Sequence, residues 1–172
     1  MAQFRLILGG GASGKSRYAE GLVMAMPQPR AYIATAQAWD DEMRAKIAQH
    51  QQQRGPDWLT IEAPQELPKA LRDLPSDHVV LIDCATLWLS NLMLDNKDLL
   101  AAQTDLLAAL AERQEAVVVV SNEVGQGIVP EHALGRQFRN AQGRLNQALA
   151  AQADQVEFVI AGLPMTLKAP DQ

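Results

Sequence analysis

The chain has 172 residues, of which 48% are hydrophobic and 20% charged, a globular mixture that excludes a largely disordered chain. Its formal net charge of −5 argues against nucleic acid as a partner, because that binding relies on Lys and Arg displacing counterions from phosphates. The single cysteine, Cys84, cannot form an internal disulfide, and no apolar run approaches the roughly 20 residues needed to span a bilayer. We therefore expect one cytoplasmic domain over residues 1–172, without membrane insertion, that binds small molecules.

Short apolar runs alternate with longer helix-compatible segments, a pattern typical of β-strands and α-helices around a mostly parallel sheet. In chain order the predicted elements are strand Phe4–Leu8, helix Lys15–Met26, strand Ala31–Thr35, helix Asp40–Gln53, edge strand Trp58–Glu62, helix Gln65–Leu71, strand Val79–Asp83, helix Asp98–Arg113, strand Val117–Ser121, helix His132–Ala153 and strand Val156–Ile160. Pro27 and Pro29 mark the end of the first helix and Gly55 that of the second, whereas Pro130 is predicted where the first turn of the last helix begins.

A phosphate-binding loop follows the first predicted strand. The pattern of Gly, four free positions, Gly, Lys and then Ser or Thr is matched by Gly9, Gly10, Gly11, Ala12, Ser13, Gly14, Lys15 and Ser16. Because a helix follows, backbone N–H groups and the positive helix end would converge on phosphate oxygens. Lys15 would hold the β- and γ-phosphates of a nucleoside triphosphate, and Ser16 would ligate Mg²⁺. The alternative, a flexible glycine turn, is disfavoured by the strand and helix on either side.

The expected fold class is therefore α/β and P-loop NTPase-like, with a mostly parallel central sheet flanked by helices. A P-loop enzyme also needs an acidic residue near the bound Mg²⁺. Asp83 ends the apolar run from Val79 to Ile82, which suits a buried parallel strand, and we predict that it is this residue. The alternative is that Asp83 caps a helix starting at Ala85, and the two roles can coexist.

A candidate nucleophile lies in the second predicted helix. Met43, Ile47, His50 and Arg54 share one helical face. A neutral imidazole can attack phosphorus, and a nearby Arg can stabilise the charge that develops on the phosphate. A lone helical His is more often a surface or packed residue, so spacing alone leaves the role of His50 open.

Several segments together resemble the bifunctional adenosylcobinamide kinase/adenosylcobinamide-phosphate guanylyltransferase family. They run almost from end to end and comprise residues 9–17, 32–35, 40–43 with Ile47 and His50, Arg54 with Trp58 and Glu62, 83–84 with 86–91, 121–125 with 127–130, and 138–139 with 143–144 and 146–147. The segments around His50 and Asn122 are far more particular than the P-loop. One departure is Ala12, where the loop of that family usually has Arg, which removes a possible cationic contact to phosphate.

The resemblance implies two reactions. ATP or GTP phosphorylates the aminopropanol hydroxyl of adenosylcobinamide; GTP then transfers GMP to a histidine, matched by His50, and adenosylcobinamide phosphate takes the GMP to give adenosylcobinamide-GDP. The resemblance also implies a homotrimer. The residues that would line the GTP site by the same resemblance are Thr35, Ala36, Gln37, Gln51, Gln52, Gln53, Arg54, Glu62 and Asp83.

Two other functions are compatible with the P-loop. A small-molecule kinase without a covalent step would take up no guanylyl group from GTP. A GTP-binding switch protein would usually carry base-specificity and switch motifs, which we do not find in the sequence.

Overall fold

The computed structural model describes residues 3–37 and 41–169, apart from the side chains of Met43, Lys46, Gln49, His50, Gln51 and Gln53. Its elements in chain order are β1 (Phe4–Gly9), α1 (Lys15–Met24), β2 (Arg30–Ala34), α2 (Asp41–Arg54), β3 (Trp58–Glu62), α3 (Leu67–Asp73), β4 (Val79–Asp83), α4 (Ala85–Leu94), α5 (Leu99–Ala111), β5 (Val117–Asn122), α6 (Ala133–Gln152), β6 (Gln155–Ile160) and β7 (Leu163–Lys168). Asp40, predicted as the first residue of the second helix, lies outside the described residues.

The seven strands form one sheet in the order β3-β2-β4-β5-β1-β6-β7. Neighbouring strands are parallel except for β6 and β7, which are antiparallel. The predicted α/β class with a mostly parallel sheet is confirmed, and β3 is an edge strand as expected. No helix in residues 3–37 or 41–169 is both long and apolar enough to cross a membrane.

Alternation along the strands fills two hydrophobic layers, because successive side chains point to opposite faces of a sheet. Strand β1 sends Leu6 and Leu8 into the layer beneath α3, α4, α5 and α6, and sends Ile7 into the layer beneath α1. The central strand β5, Val117 to Val120, is buried on both faces, as its unbroken apolar run predicts. The sheet is therefore covered on both sides, and its strand ends are left for loops.

The structure corrects four expectations. Helix α4 was not among the predicted elements, and a helix starting at Ala85 entered only as the capping alternative for Asp83, because its residues are apolar on most sides and show little helical periodicity. Strand β7 was not predicted either; it is short, contains Pro164 and is exposed along its length. Pro130 does not begin a helix, since α6 starts at Ala133. Asp83 does not cap α4: Cys84 occupies that position, and its Sγ accepts a hydrogen bond from Leu87 N at 3.4 Å.

Candidate functional site

The loop between β1 and α1 takes a conformation that depends on Gly14. Gly14 occupies the position before α1 with φ of 88°, a left-handed conformation that favours glycine. A Cβ on Gly14 would lie 3.2 Å from Gly162 Cα, in the turn between β6 and β7. Gly162 N donates a hydrogen bond to Ser13 O at 2.8 Å. The loop is thus braced from outside by a turn close to the other end of the chain.

Lys15 folds back over this loop. Lys15 is only 8% exposed, and its Nζ donates a hydrogen bond to Gly10 O at 2.9 Å. Ser16, one residue further along α1, is half-buried, whereas Ala12 is exposed with φ of 54°. Ser13 Oγ is buried and has no hydrogen-bond partner in the described part of the protein.

The carboxyl ends of the parallel strands bring the other candidate residues to the same edge. Asp83 pairs in register with Ala34 of β2, which in turn pairs with Glu62 of β3. Gly9 pairs with Asn122 of β5, the strand that lies between β1 and β4. At about 4.8 Å per strand, the loop strand and the Asp83 strand are therefore roughly 10 Å apart.

Asp83 is fixed through its neighbours. It is half-buried, and its Oδ2 accepts a hydrogen bond from the Tyr32 hydroxyl at 3.2 Å. Burial raises the pKa of Tyr32 above its ordinary value, and the charge of Asp83 raises it further, so the hydroxyl keeps its proton and acts as the donor. The Asp83 carbonyl accepts from Thr35 N at 3.3 Å.

The side chain of Thr35 is buried beneath the candidate site and is not exposed on its surface. The residue is fully buried, and its Oγ1 donates to Cys84 O at 2.7 Å and accepts from Cys84 N at 2.8 Å. Its carbonyl accepts from Asn91 Nδ2 at 2.9 Å. The hydroxyl of Thr35 is therefore used in joining the ends of β2 and β4, while Ala36 and Gln37 follow it as half-buried residues.

Helix α2 approaches the same edge through its last residue. The Arg54 guanidinium carbon lies 3.4 Å from the centroid of the Tyr32 ring, a cation–π contact. Gln52 on α2 and Glu62 on β3 are exposed. His50 belongs to α2, but its side chain and those of Gln51 and Gln53 lie outside what the structure describes. Lys15, Asp83 and Arg54 are thus brought to one edge.

Comparison with known proteins identifies the family. The family model of cobinamide kinase / cobinamide phosphate guanyltransferase matches residues 5–167. The chain belongs to this family. The "Bifunctional adenosylcobalamin biosynthesis protein CobP" of Pseudomonas aeruginosa is 45% identical over 166 residues, covering 95% of this chain and 96% of the relative. The protein CobU of Escherichia coli, with the same description, is 42% identical over 179 residues, covering 95% of this chain and 98% of the relative.

Solved structures support the fold alone. An ATPase from the type III secretion system of pathogenic bacteria has a TM-score of 0.60 at 10% identity, covering 95% of this chain and 56% of that chain. The protein PH0250 from Pyrococcus horikoshii OT3 has a TM-score of 0.58 at 10% identity, and the match covers 99% of this chain and 88% of that chain. The P-loop ATPase-like fold predicted from the sequence is confirmed.

Members of the cobinamide kinase / cobinamide phosphate guanyltransferase family are enzymes with two activities. This chain is accordingly a bifunctional cobinamide kinase and cobinamide phosphate guanylyltransferase of adenosylcobalamin biosynthesis. That activity was predicted from the resemblance. Neither alternative, a kinase without a guanylyl step or a GTP-binding switch, describes it.

In this guanylyltransferase a buried polar network, which sequence reasoning missed, supports the end of β5. Ser121 Oγ bonds to Asn146 Oδ1 at 2.7 Å, and Gln142 Nε2 donates to Ser121 Oγ at 2.9 Å. Asn122 N donates to Thr86 Oγ1 at 2.7 Å, and Asn122 O accepts from Asn146 Nδ2 at 3.0 Å. The main chain between the loop strand and the Asp83 strand is therefore held from both α4 and α6. Ser121, Asn122 and Asn146 lie in segments that carry the family resemblance, and Gln142 and Asn146 are polar residues four apart on the otherwise apolar face of α6, but neither signal indicated these contacts.

Proposed function

We propose that both transfers use one nucleotide site at the carboxyl edge of the sheet. ATP or GTP would place its phosphates on Gly9, Gly10, Gly11, Ala12, Ser13, Gly14, Lys15 and Ser16. The observation that carries the proposal is the convergence on this edge of Lys15, of Asp83 and, through the Tyr32 ring, of the end of α2. The loop's backbone N–H groups and the N-terminus of α1 favour an anion there.

The same residues fit a magnesium ion. Mg²⁺ prefers oxygen ligands and is usually held by one or two protein groups together with waters and substrate phosphates. The Ser16 hydroxyl and the Asp83 carboxylate supply such oxygens. In residues 3–37 and 41–169 there is no cluster of three or more His, Cys, Asp and Glu that could hold a metal. Substrate phosphates and waters would complete the ligand set, as is usual for Mg²⁺, and bound Mg²⁺ would neutralise charge on the leaving phosphates.

In the kinase step, the cobinamide hydroxyl oxygen forms a bond to the γ-phosphorus while the bond from that phosphorus to the β,γ-bridging oxygen breaks. The nucleoside diphosphate leaves and the hydroxyl proton passes to solvent. Lys15 is the group that balances charge on the β- and γ-phosphates as the bridging oxygen departs. Its Nζ would exchange the Gly10 carbonyl for phosphate oxygens.

In the guanylyl step, an imidazole nitrogen of His50 attacks the α-phosphorus of GTP, and pyrophosphate leaves as the α,β-bridging bond breaks. A phosphate oxygen of adenosylcobinamide phosphate then attacks the same phosphorus, the phosphorus–nitrogen bond breaks, and adenosylcobinamide-GDP forms. Arg54, four residues after His50 in α2, lies one helical turn away and would stabilise charge on the phosphate.

The rest of the GTP site is also a proposal, supported by the family resemblance and by the strand register at this edge. It comprises Thr35, Ala36, Gln37, Gln51, Gln52, Gln53, Arg54, Glu62 and Asp83. The contacts of Thr35 favour a supporting role for its side chain, with Ala36 and Gln37 nearer the ligand. We further propose that residues 1–172 form one catalytic domain and that the protein is cytoplasmic. We also propose that it is a homotrimer, which light scattering of the purified protein in solution would test.

The covalent step can be tested with labelled GTP. Wild-type protein incubated with GTP and Mg²⁺ should retain label from the α-phosphate and not from the γ-phosphate, because pyrophosphate departs. The bond should be labile in acid and stable in alkali, as for phosphorus–nitrogen linkages. His50→Ala should lose both the label and guanylyl transfer, while phosphorylation of cobinamide continues.

His78→Ala is the matched control, because His78 precedes β4 at the opposite edge of the sheet and its ring bonds to Asp77. It should label like the wild type. If folded His50→Ala accepts the α-phosphate label at the wild-type rate, the nucleophile is another group.

A further inference from the structure

Tyr32 stands between the helix that carries His50 and the carboxylate at the end of β4. Its hydroxyl donates to Asp83 Oδ2 at 3.2 Å, although the two residues are 51 positions apart. That bond occupies one carboxylate oxygen and leaves Oδ1 as the other oxygen of Asp83. A hydrogen bond to one carboxylate oxygen restricts rotation of the Asp83 side chain, so the position of the second oxygen, Oδ1, is also restricted.

The Tyr32 ring is itself held from two sides. It packs edge-to-face with Trp58 of β3, with ring centroids 6.3 Å apart and planes at 78°. The Arg54 guanidinium carbon lies 3.4 Å from its centroid, and Arg54 Nε is buried with no hydrogen-bond partner in the described residues. Trp58 is buried in the layer that also contains Leu81 of β4. The Tyr32 ring is thus held by contacts that do not depend on the hydrogen bond of its hydroxyl.

We infer that Tyr32 is a positioning residue, whose hydroxyl orients the Asp83 carboxylate toward the magnesium ion of the bound nucleotide. In this role Tyr32 acts through Asp83. The inference rests on the proposed role of Asp83 in holding Mg²⁺. Because the Arg54 contact ties the same ring to the end of α2, the Asp83 carboxylate and the helix of His50 share one support.

The test uses Tyr32→Phe, which removes the hydroxyl and keeps the ring for Trp58 and Arg54. The affinity of a fluorescent GTP analogue is measured at increasing Mg²⁺ and in EDTA. The half-saturating Mg²⁺ concentration should rise about 3- to 10-fold, the effect of losing one hydrogen bond to a charged group. Affinity in EDTA should stay at the wild-type value, because the loop contacts to phosphate do not involve Tyr32.

The chain offers a matched control, because it has two tyrosines and both donate to a carboxylate. Tyr18 donates to Glu157 Oε1 at 2.8 Å, away from Asp83. Tyr18→Phe deletes the same atom and should leave the Mg²⁺ dependence unchanged. If Tyr18→Phe shifts it as much as Tyr32→Phe does, the effect is a general one and the inference is overturned.

Asp83→Asn, measured in parallel, separates this inference from the proposed function. A shift in Mg²⁺ dependence in both Asp83→Asn and Tyr32→Phe supports the positioning role. A shift in Asp83→Asn alone overturns the role of Tyr32 and leaves the metal role of Asp83 standing. No shift in Asp83→Asn removes Asp83 from the metal site, and the inference is then overturned with it.

Discussion

The Thr35 hydroxyl is hydrogen-bonded to both main-chain groups of Cys84, donating to its carbonyl at 2.7 Å and accepting from its N–H at 2.8 Å. Thr35 and Cys84 lie directly after the ends of two neighbouring parallel strands, β2 and β4. One buried side chain therefore satisfies two main-chain groups beside Asp83.

Replacing Thr35 by Val keeps the shape and removes the hydroxyl. The Cys84 N–H would be left without a partner, while the Cys84 carbonyl would keep the hydrogen bond that it accepts from Trp88 N at 3.3 Å, so the free energy of unfolding should fall by about 1–3 kcal/mol. Urea denaturation measures this loss. Thr35→Ser should recover most of it. Thr104→Val removes an exposed hydroxyl that bonds to Leu100 O, and should change stability by less than about 0.5 kcal/mol. Equal stabilities for Thr35→Val and wild type would contradict the importance of this contact.

Lys15→Ala should lower both kinase and guanylyl-transfer rates by at least about 10²- to 10³-fold, because the cation that offsets developing phosphate charge is gone. The rates are measured with saturating nucleotide and cobinamide, with folding checked by circular dichroism. Lys97 is exposed in the turn between α4 and α5, and Lys97→Ala should retain wild-type rates. Near-normal activity in folded Lys15→Ala would rule out the assigned nucleotide site.

Gly14→Ala should weaken nucleotide binding and destabilise the protein by at least about 1–2 kcal/mol, since Gly14 has φ of 88°. The added Cβ would also approach Gly162 Cα at 3.2 Å. A Cβ on Gly143 in α6 would meet no atom within 4 Å. Gly143→Ala should therefore stabilise the protein by about 0.5–1 kcal/mol. Thermal unfolding with and without GTP distinguishes the two changes. A gain in stability for Gly14→Ala would contradict the loop geometry.

The Cys84 thiol gives a pH-dependent prediction. Burial, aided by the charge of Asp83, raises its pKa to about 11 from an ordinary value of 9. The native state therefore binds this proton more tightly than the unfolded state. Its contribution to stability is complete below pH 9 and is lost as the pH rises through 11.

The unfolding free energy of wild type should therefore fall by up to about 2–3 kcal/mol more than that of Cys84→Ala over this pH range. Native protein at pH 8 should also react with iodoacetamide far more slowly than protein in urea, because the thiol is buried and protonated. Equal alkylation rates in the two conditions would show that the thiol is accessible.

Local signals in the sequence predicted much of this structure. The loop from Gly9 to Ser16 and the strand ending at Asp83 carry their own patterns, so both could be placed without knowing what lies beside them. The contacts of Tyr32 and Thr35 could not, because they depend on β2 lying beside β4, which brings together residues about 50 positions apart. Thr35 illustrates the difference: that it lines the GTP site stays a prediction from the resemblance, whereas the bonds of its hydroxyl to the main chain of Cys84 are visible only in the structure.

The missed elements have a related cause. Helix α4 buries one face against β5, α5 and α6, but its exposed positions include Leu87 and Leu94, so the sequence does not show the alternation of apolar and polar faces typical of a surface helix. Strand β7 is recognisable only through its antiparallel partner β6, because its own six residues include a proline and are all exposed. In both cases tertiary contacts decide the structure.

The position of β1 between β5 and β6 has a consequence for synthesis on the ribosome. The strand that leads into the phosphate loop is translated first, yet its two neighbours span residues 117–122 and 155–160. The turn that braces Ser13 and Gly14 follows at Gly162. A nascent chain would therefore carry this loop without its supporting contacts until residue 162 has emerged, since strands so far apart in sequence pair late. A loop that lacks both neighbouring strands and this turn would not hold the conformation described for Gly14.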